Sequence, residues 1–152
     1  MGYIRRPAYY KAFRCIGSDC TENCCIGWEI DVDEDTLAYY KSIGSDFSRR
    51  LCAAIAPADE QAGENAHFIL DERERCPFLN DKNLCEVYLN LGEEHMAQIC
   101  TDHPRYYEWF AGGREDGVGL CCEAAAELIL RRRDRPEWDV TGEADEEPDE
   151  FE

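Results

Sequence analysis

The sequence predicts a mainly α (α+β) fold: a cysteine-rich metal-binding domain of short helices with one or two small β-hairpins. Three observations predict it. Short apolar-periodic runs open on capping residues and close at glycine, turn-rich spans containing Pro and Gly separate them, and the ten cysteines sit at turn edges or helix starts. A length of 152 residues with 44% hydrophobic content suits a single domain, expected over residues 1–135, followed by a disordered acidic tail or linker over 136–152.

The elements follow in chain order. Asp33-Glu34-Asp35-Thr36 offers capping residues for a helix through LAYYKSI, with Leu37, Tyr40 and the Lys41 stem on one face and Gly44 as its stop. A second helix is expected from Phe47 to Ile55. Ala56 to Asn65, with Pro57 and Gly63, reads as a loop, and His67 to Leu70 as a short strand. A turn at Asn80-Asp81 leads into a helix over Leu84–Leu91, closed by Gly92. Tyr106–Phe110 and Val118–Cys121 are apolar runs flanking AGGREDG, which reads as the turn of a hairpin. Ala124–Arg132 is helical, rich in Ala, Leu and Glu, with a basic end that suits the helix dipole.

Charge narrows the partners. The chain carries 16 basic and 34 acidic residues. Nine of the acids fall in Glu137–Glu152, so the body has 25 acids against 16 bases, a balance of minus 9. Phosphate backbones would be repelled, and nucleic acid is excluded as a partner. No stretch reaches the roughly 18 apolar residues of a membrane span, and MGYIRRPAYY lacks the apolar core of a secretion signal. A cytoplasmic, reducing location is expected, where clustered cysteines hold metal more readily than they form disulfides.

The densest cluster is FRCIGSDCTENCCIGW, Phe13 to Trp28. Asp19 with Glu22 three residues on predicts a helical turn from Cys20 that places Cys20 and Cys24 on one face. Thiolates gathered in so acidic a chain repel one another unless a cation neutralises them. The other cysteines recur in similar settings: Cys76-Pro77-Phe78-Leu79, Leu84-Cys85, Cys100 with Pro104-Arg105 after it, and Cys121-Cys122-Glu123. Cys52, on an apolar helical face, reads as a core thiol. Neighbouring side chains diverge along regular backbone, so Cys24 and Cys25 are expected to serve different centres. His67 and His95 read as ordinary residues, His103 as a candidate ligand beside Cys100, and Arg105 as the partner of a surface acid.

No βαβ pattern with a glycine-rich turn marks a nucleotide-type cofactor site, and the Gly112–Gly119 run fits a hairpin better. A Cys-x3-Cys-x2-Cys cluster motif also fails, since the count from Cys20 through Cys24 arrives at Gly27.

The motifs FxCxxxxCxxxCCxGW (Phe13–Trp28), CPFL (Cys76–Leu79), LC (Leu84-Cys85), Cys100 followed by Pro104-Arg105, and CxEAA (Cys121–Ala125) stand in one order. That order resembles the N-terminal cysteine-rich region of flagellin lysine-N-methylases, over about Phe13 to Leu130. The Cys20, Cys24-Cys25 and CPFL portion is also similar to the wider group of zinc- or iron-chelating CxxCxxCC proteins. Carried over residue by residue, the resemblance implies metal ligands at Cys15, Cys20, Cys24, Cys25, Cys76, Cys85, Cys100 and Cys121. Cys122 stands where the family usually has Pro, and His103 where an aromatic residue is usual. The resemblance further implies an iron–sulfur cluster (4Fe-4S) or zinc, S-adenosylmethionine as methyl donor, and flagellin or another lysine-bearing protein as substrate. With no donor site legible, this chain alone is expected to bind metal without transferring methyl groups. The alternative is a stand-alone, non-enzymatic chelating or interaction module.

Overall fold

The computed structural model describes residues 2–21 and 23–144. Its elements are β1 (Gly2–Pro7), α1 (Glu34–Ile43), α2 (Asp46–Ala53), β2 (Ile55–Ala56), β3 (His67–Phe68), α3 (Glu86–Leu91), α4 (Gln98–Asp102), β4 (Arg105–Phe110), β5 (Gly113–Val118), α5 (Glu123–Leu130) and β6 (Trp138–Ala144). They divide into two compact units. The first combines the residues up to Ile16, Cys20 and Thr21 with those from His103 onward; the second holds residues 17–19 and Asn23–Asp102.

The first unit is organised by a four-stranded mixed sheet in the order β4-β5-β1-β6, which overturns the expectation of a mainly α fold. The chain is α+β. Strand β1 runs parallel to β5, with Tyr3 opposite Gly113 and Arg5 opposite Glu115, and antiparallel to β6, with Pro7 opposite Trp138. Helical periodicity could not announce β1, since GYIRRP carries little apolar alternation. It is held by its partners instead. Arg6 and Arg114 close on Asp116, which is 0% exposed, through Nε–Oδ contacts of 2.7 and 2.6 Å.

The expected hairpin exists, but its boundaries move. Strands β4 and β5 are joined by Ala111-Gly112 alone, so GREDGV is strand rather than turn. Gly112, at φ 106°, takes a backbone conformation that a side chain would strain. On β5, a Cβ at Gly117 would come within 2.2 Å of the Tyr106 ring, which lies across it from β4. Helix α5 packs Ala125 against Phe13 and Val118 in a small core of its own.

The tail expected from residue 136 is strand over part of its length. Trp138-Asp139-Val140-Thr141 supplies aromatic and β-branched residues that pair with β1, and Gly142, at φ 68°, absorbs a bulge in the register. The acid run that prompted the tail assignment lies mostly in 145–152, outside the described residues.

The second unit matches the expected helices closely. Asp33 caps α1 by accepting from the Thr36 backbone N–H at 2.9 Å, and Gly44 ends the helix in the left-handed conformation. The same carboxylate accepts from the Gln98 backbone N–H at 2.9 Å, tying the start of α4 to the start of α1. Ile30, Tyr40, Leu51, Phe68, Phe78 and Val87 form the core. Phe78 is at its centre, with ring centroids 5.9 Å from Phe47 and 5.5 Å from Phe68. Tyr40 is fully buried, and its hydroxyl donates to the His95 carbonyl at 2.8 Å. Among the described residues no helix is long and apolar enough to cross a membrane.

Two expected outcomes test this reading. Asp116→Ala strands two half-buried guanidiniums and should lower stability by about 3 kcal/mol in urea denaturation of the whole chain. Burial works against the Asp33 carboxylate, but the backbone N–H groups of Gln98 and Thr36 and the Thr36 hydroxyl outweigh it and hold its pKa below the usual value. Its capping contribution, about 1 kcal/mol, is therefore present above the unfolded-state pKa of about 3.9 and lost as pH falls through the folded value. Thermal midpoints of the parent and Asp33→Ala should differ at neutral pH and converge in acid.

Candidate thiol site

Five of the eight implied ligand cysteines fall in the second unit, on three stretches of irregular backbone and one short helix. Cys24 and Cys25 occupy a turn rather than the expected helix. Asn23 makes that turn, its side-chain oxygen accepting from the Cys25 N–H at 2.9 Å and its carbonyl from the Ile26 N–H at 3.2 Å. An Asn at this position competes with helix by bonding the backbone just ahead of it. The Trp28 indole N–H donates to the Cys24 carbonyl and holds the turn from the other side.

The CPFL segment then pairs with this turn. Gly27 N–H donates to the Glu74 carbonyl at 2.9 Å, and Cys76 N–H to the Cys25 carbonyl at 2.8 Å, so Cys25 and Cys76 are joined through their backbones. Beyond it, Leu79 bridges Cys85 and Asn80 folds the connection, its side-chain oxygen accepting from Lys82 and Leu84 N–H groups at 2.9 and 3.1 Å. Asn83, at φ 55°, completes that turn. The Arg75 guanidinium caps the loop by donating to the Asn80 carbonyl at 2.7 Å and the Leu79 carbonyl at 3.3 Å. Cys85 stands at the N-terminal boundary of α3, and Cys100 lies in α4. Cys25, Cys85 and Cys100 are half-buried against the core that contains Cys76.

The thiols act on one another electrostatically. Burial pushes Cys76 up to about 11 and Cys100 up to about 12, with the charges of neighbouring cysteines adding to it. Cys85 is raised for the same reasons. The adjacent Cys24 and Cys25 thiols act on each other, which lowers Cys24 to about 7 and holds the second proton of the pair far above the usual thiol range. Cys25 is half-buried against the core while Cys24 is exposed, on a turn that does not impose the alternation of a regular element.

The remaining three implied ligands belong to the first unit. Cys20 donates to Glu123 at 3.6 Å, and the same carboxylate oxygen accepts from the Thr21 N–H at 2.7 Å and hydroxyl at 2.8 Å. The helical turn expected to align Cys20 with Cys24 is absent, and the two cysteines are in different units. Cys15 and Cys121 are exposed. Cys52 is half-buried on α2 against the core. His95 stacks on Tyr39 with centroids 4.0 Å apart, and His67 Nδ1 lies 2.9 Å from the Asn65 carbonyl. His103 is in the first unit, where burial lowers its pKa, and Arg105 lies over the Phe13 ring at 5.4 Å. All ten cysteines are free thiols. Among the described residues, no group of three or more His, Cys, Asp or Glu side chains is gathered closely enough to hold a metal ion as it stands.

Asn23, Trp28, Arg75 and Asn80 were not singled out from the sequence as parts of this site. Asn80 carried a signal as a turn residue, and Trp28 as the last residue of the Phe13–Trp28 motif.

Comparison with known proteins agrees with the order of motifs. The chain is 25% identical over 135 residues to the flagellar biosynthetic protein FliU of Salmonella muenchen, covering 86% of this chain and 79% of that one. It is also 25% identical over 135 residues to a lysine-N-methylase of Salmonella typhimurium, covering 33% of that protein, with the same figures for one of Salmonella choleraesuis. The chain is similar to lysine-N-methylases. The family resemblance stated from its cysteine motifs holds, and the chain spans about a third of the length of these methylases. No protein-family model matches it, and no solved structure does.

The thiol chemistry has a direct test. In the reduced, metal-free protein at about pH 7.5, the Cys24-Cys25 pair should take up one alkyl group well before Cys76 or Cys100 reacts, since only its first proton is mostly lost there. Peptide mass mapping after brief iodoacetamide treatment reads the order. Faster labelling of Cys76 or Cys100 would contradict it.

Proposed function

We propose that this chain is the metal-binding, cysteine-rich part of a flagellin-type protein-lysine N-methylase that uses S-adenosylmethionine. The observation that carries the reading is that Cys25, Cys76, Cys85 and Cys100 border one core, with Cys24 exposed beside Cys25 and the Cys25 and Cys76 segments joined backbone to backbone. The likeness to lysine-N-methylases supports the methylation half.

The donor set suits a soft metal, because a group of thiols favours zinc or an iron–sulfur cluster. Their carriers are a turn, a loop, the start of α3 and the short helix α4. Four of the five would hold the metal. Binding it displaces their protons, so uptake grows stronger as pH rises. When bound, the metal supplies cross-linking of the loops and, as an iron–sulfur cluster, a redox-active centre. The residues themselves position the loops: Asn23 and Trp28 set the Cys24-Cys25 turn, and Arg75 holds the loop between Cys76 and Cys85 closed.

Metal analysis and an absorption spectrum after anaerobic purification test the proposal. Zinc or iron with sulfide is expected in stoichiometric amount. Cys24→Ser, Cys76→Ser and Cys100→Ser should each lose metal and soluble yield together, because binding free energy at such a site is folding free energy. Cys52→Ser should lose neither. Full metal content in all three variants would overturn the assignment. The methylation half is read separately, by a mass gain of one methyl group per modified lysine when flagellin and S-adenosylmethionine are supplied.

A further inference from the structure

The sheet of the first unit has one face that its register resolves into rows. Phe110, Gly113 and Tyr3 form one row, Glu108, Glu115, Arg5 and Val140 the next, and Tyr106 opposite Gly117 and Pro7 opposite Trp138 the third. A row of charge thus lies between two rows of aromatic rings. Tyr3, Tyr106 and Trp138 are 41, 45 and 46% exposed, well above what a covered sheet face leaves open.

This face already holds one cation, and shows how. The Arg5 guanidinium lies over the Phe110 ring at 5.1 Å and the Trp138 ring at 5.0 Å, and pairs with Glu115 at 2.7 Å. Ring faces and a carboxylate together are the usual receptor for a cationic side chain. One strand further out, Glu108 repeats the arrangement without the cation. It is exposed, it alternates with Tyr106 and Phe110 on the same face of β4, and among the described residues it has no ion-pair partner. It also sits directly opposite Glu115, a like-charge pairing that an added cation would relieve.

We propose that this face docks a basic, lysine-bearing segment of a partner protein, with a lysine ammonium on Glu108 between Tyr106 and Phe110. A chain with a formal charge of minus 18 attracts such a segment over distance, and the aromatic rows fix it on contact. Strand β4 is an edge of the sheet, so an extended segment can lie beside it. The inference rests on the methylase reading in one respect, in that lysine-bearing protein is the substrate class expected there.

Calorimetric titration of the whole chain with an unstructured lysine-rich peptide, and with the same peptide acetylated at every lysine, tests it. The unmodified peptide should bind, and more weakly as salt is raised; the acetylated one should not. Glu108→Gln should weaken binding about threefold, as the loss of an exposed charge contact does, and Glu108→Lys should abolish it. Glu60→Gln, an exposed acid of the second unit, should change nothing. Circular dichroism and thermal midpoints should show all variants folded like the parent. Undiminished binding by Glu108→Lys, equal binding of the acetylated peptide, no binding at all, or a dimer that buries this face in sedimentation would each overturn the docking site. None of these outcomes alters metal content, so failure here and failure of the metal assignment are read separately.

Discussion

The buried Asp116 carboxylate, clasped by Arg6 and Arg114, is the constraint on which the first unit depends. Strands β1 and β5 are separated by most of the chain and run parallel, so no tight turn can set their register. A fully buried acid requires its cations with it, because an unpaired charge in that position costs several kcal/mol. Asp116 thus admits only arrangements of β1 and β5 that bring both guanidiniums to it. The same arginines lie over rings, Arg6 over Tyr10 and Arg114 over Tyr107 and Trp109, so the charge cluster is roofed by aromatic surface rather than by aliphatic core.

The second unit solves a different problem. Cys24, Cys25, Cys76 and Cys85 sit on a turn, a loop and the start of α3, secured by side chains that bond to backbone, Asn23, Trp28, Arg75 and Asn80, while Cys100 lies within α4. These bonds fix where the backbone goes and leave Cys25, Cys76 and Cys85 bordering the core, with Cys24 exposed. Burial keeps Cys76, Cys85 and Cys100 protonated at neutral pH, whereas the exposed Cys24 is lowered beside Cys25. Cys24, with its lowered pKa, is the thiol of this group most open to reaction at neutral pH, and burial protects Cys76 and Cys100.

Elements with local causes were legible. The Asp33 cap and the Gly44 stop of α1, the closing Gly92 and the Ala-rich α5 are each determined by a few adjacent residues, and the structure forms them as read. The helical turn from Cys20 was also a local reading, and it failed because Asn23 offers its own side chain to the backbone at the point where helix would have to continue. The sheet was misjudged for a different reason. GYIRRP and GREDGV look like turn or loop because their polar residues meet partners on distant strands, which no window of sequence contains.

By itself, then, the sequence determined α1, α2 and α3 of the second unit, the order of cysteine motifs and with it the likeness to lysine-N-methylases, since each depends on residue identity and short spacing. Only the tertiary structure decided which cysteines share a neighbourhood, that Trp138–Ala144 is strand rather than tail, and that Glu108 joins two aromatic rows on an open face. Those are properties of register and long-range pairing, where a shift of one residue turns a side chain to the opposite face and nothing local records the difference.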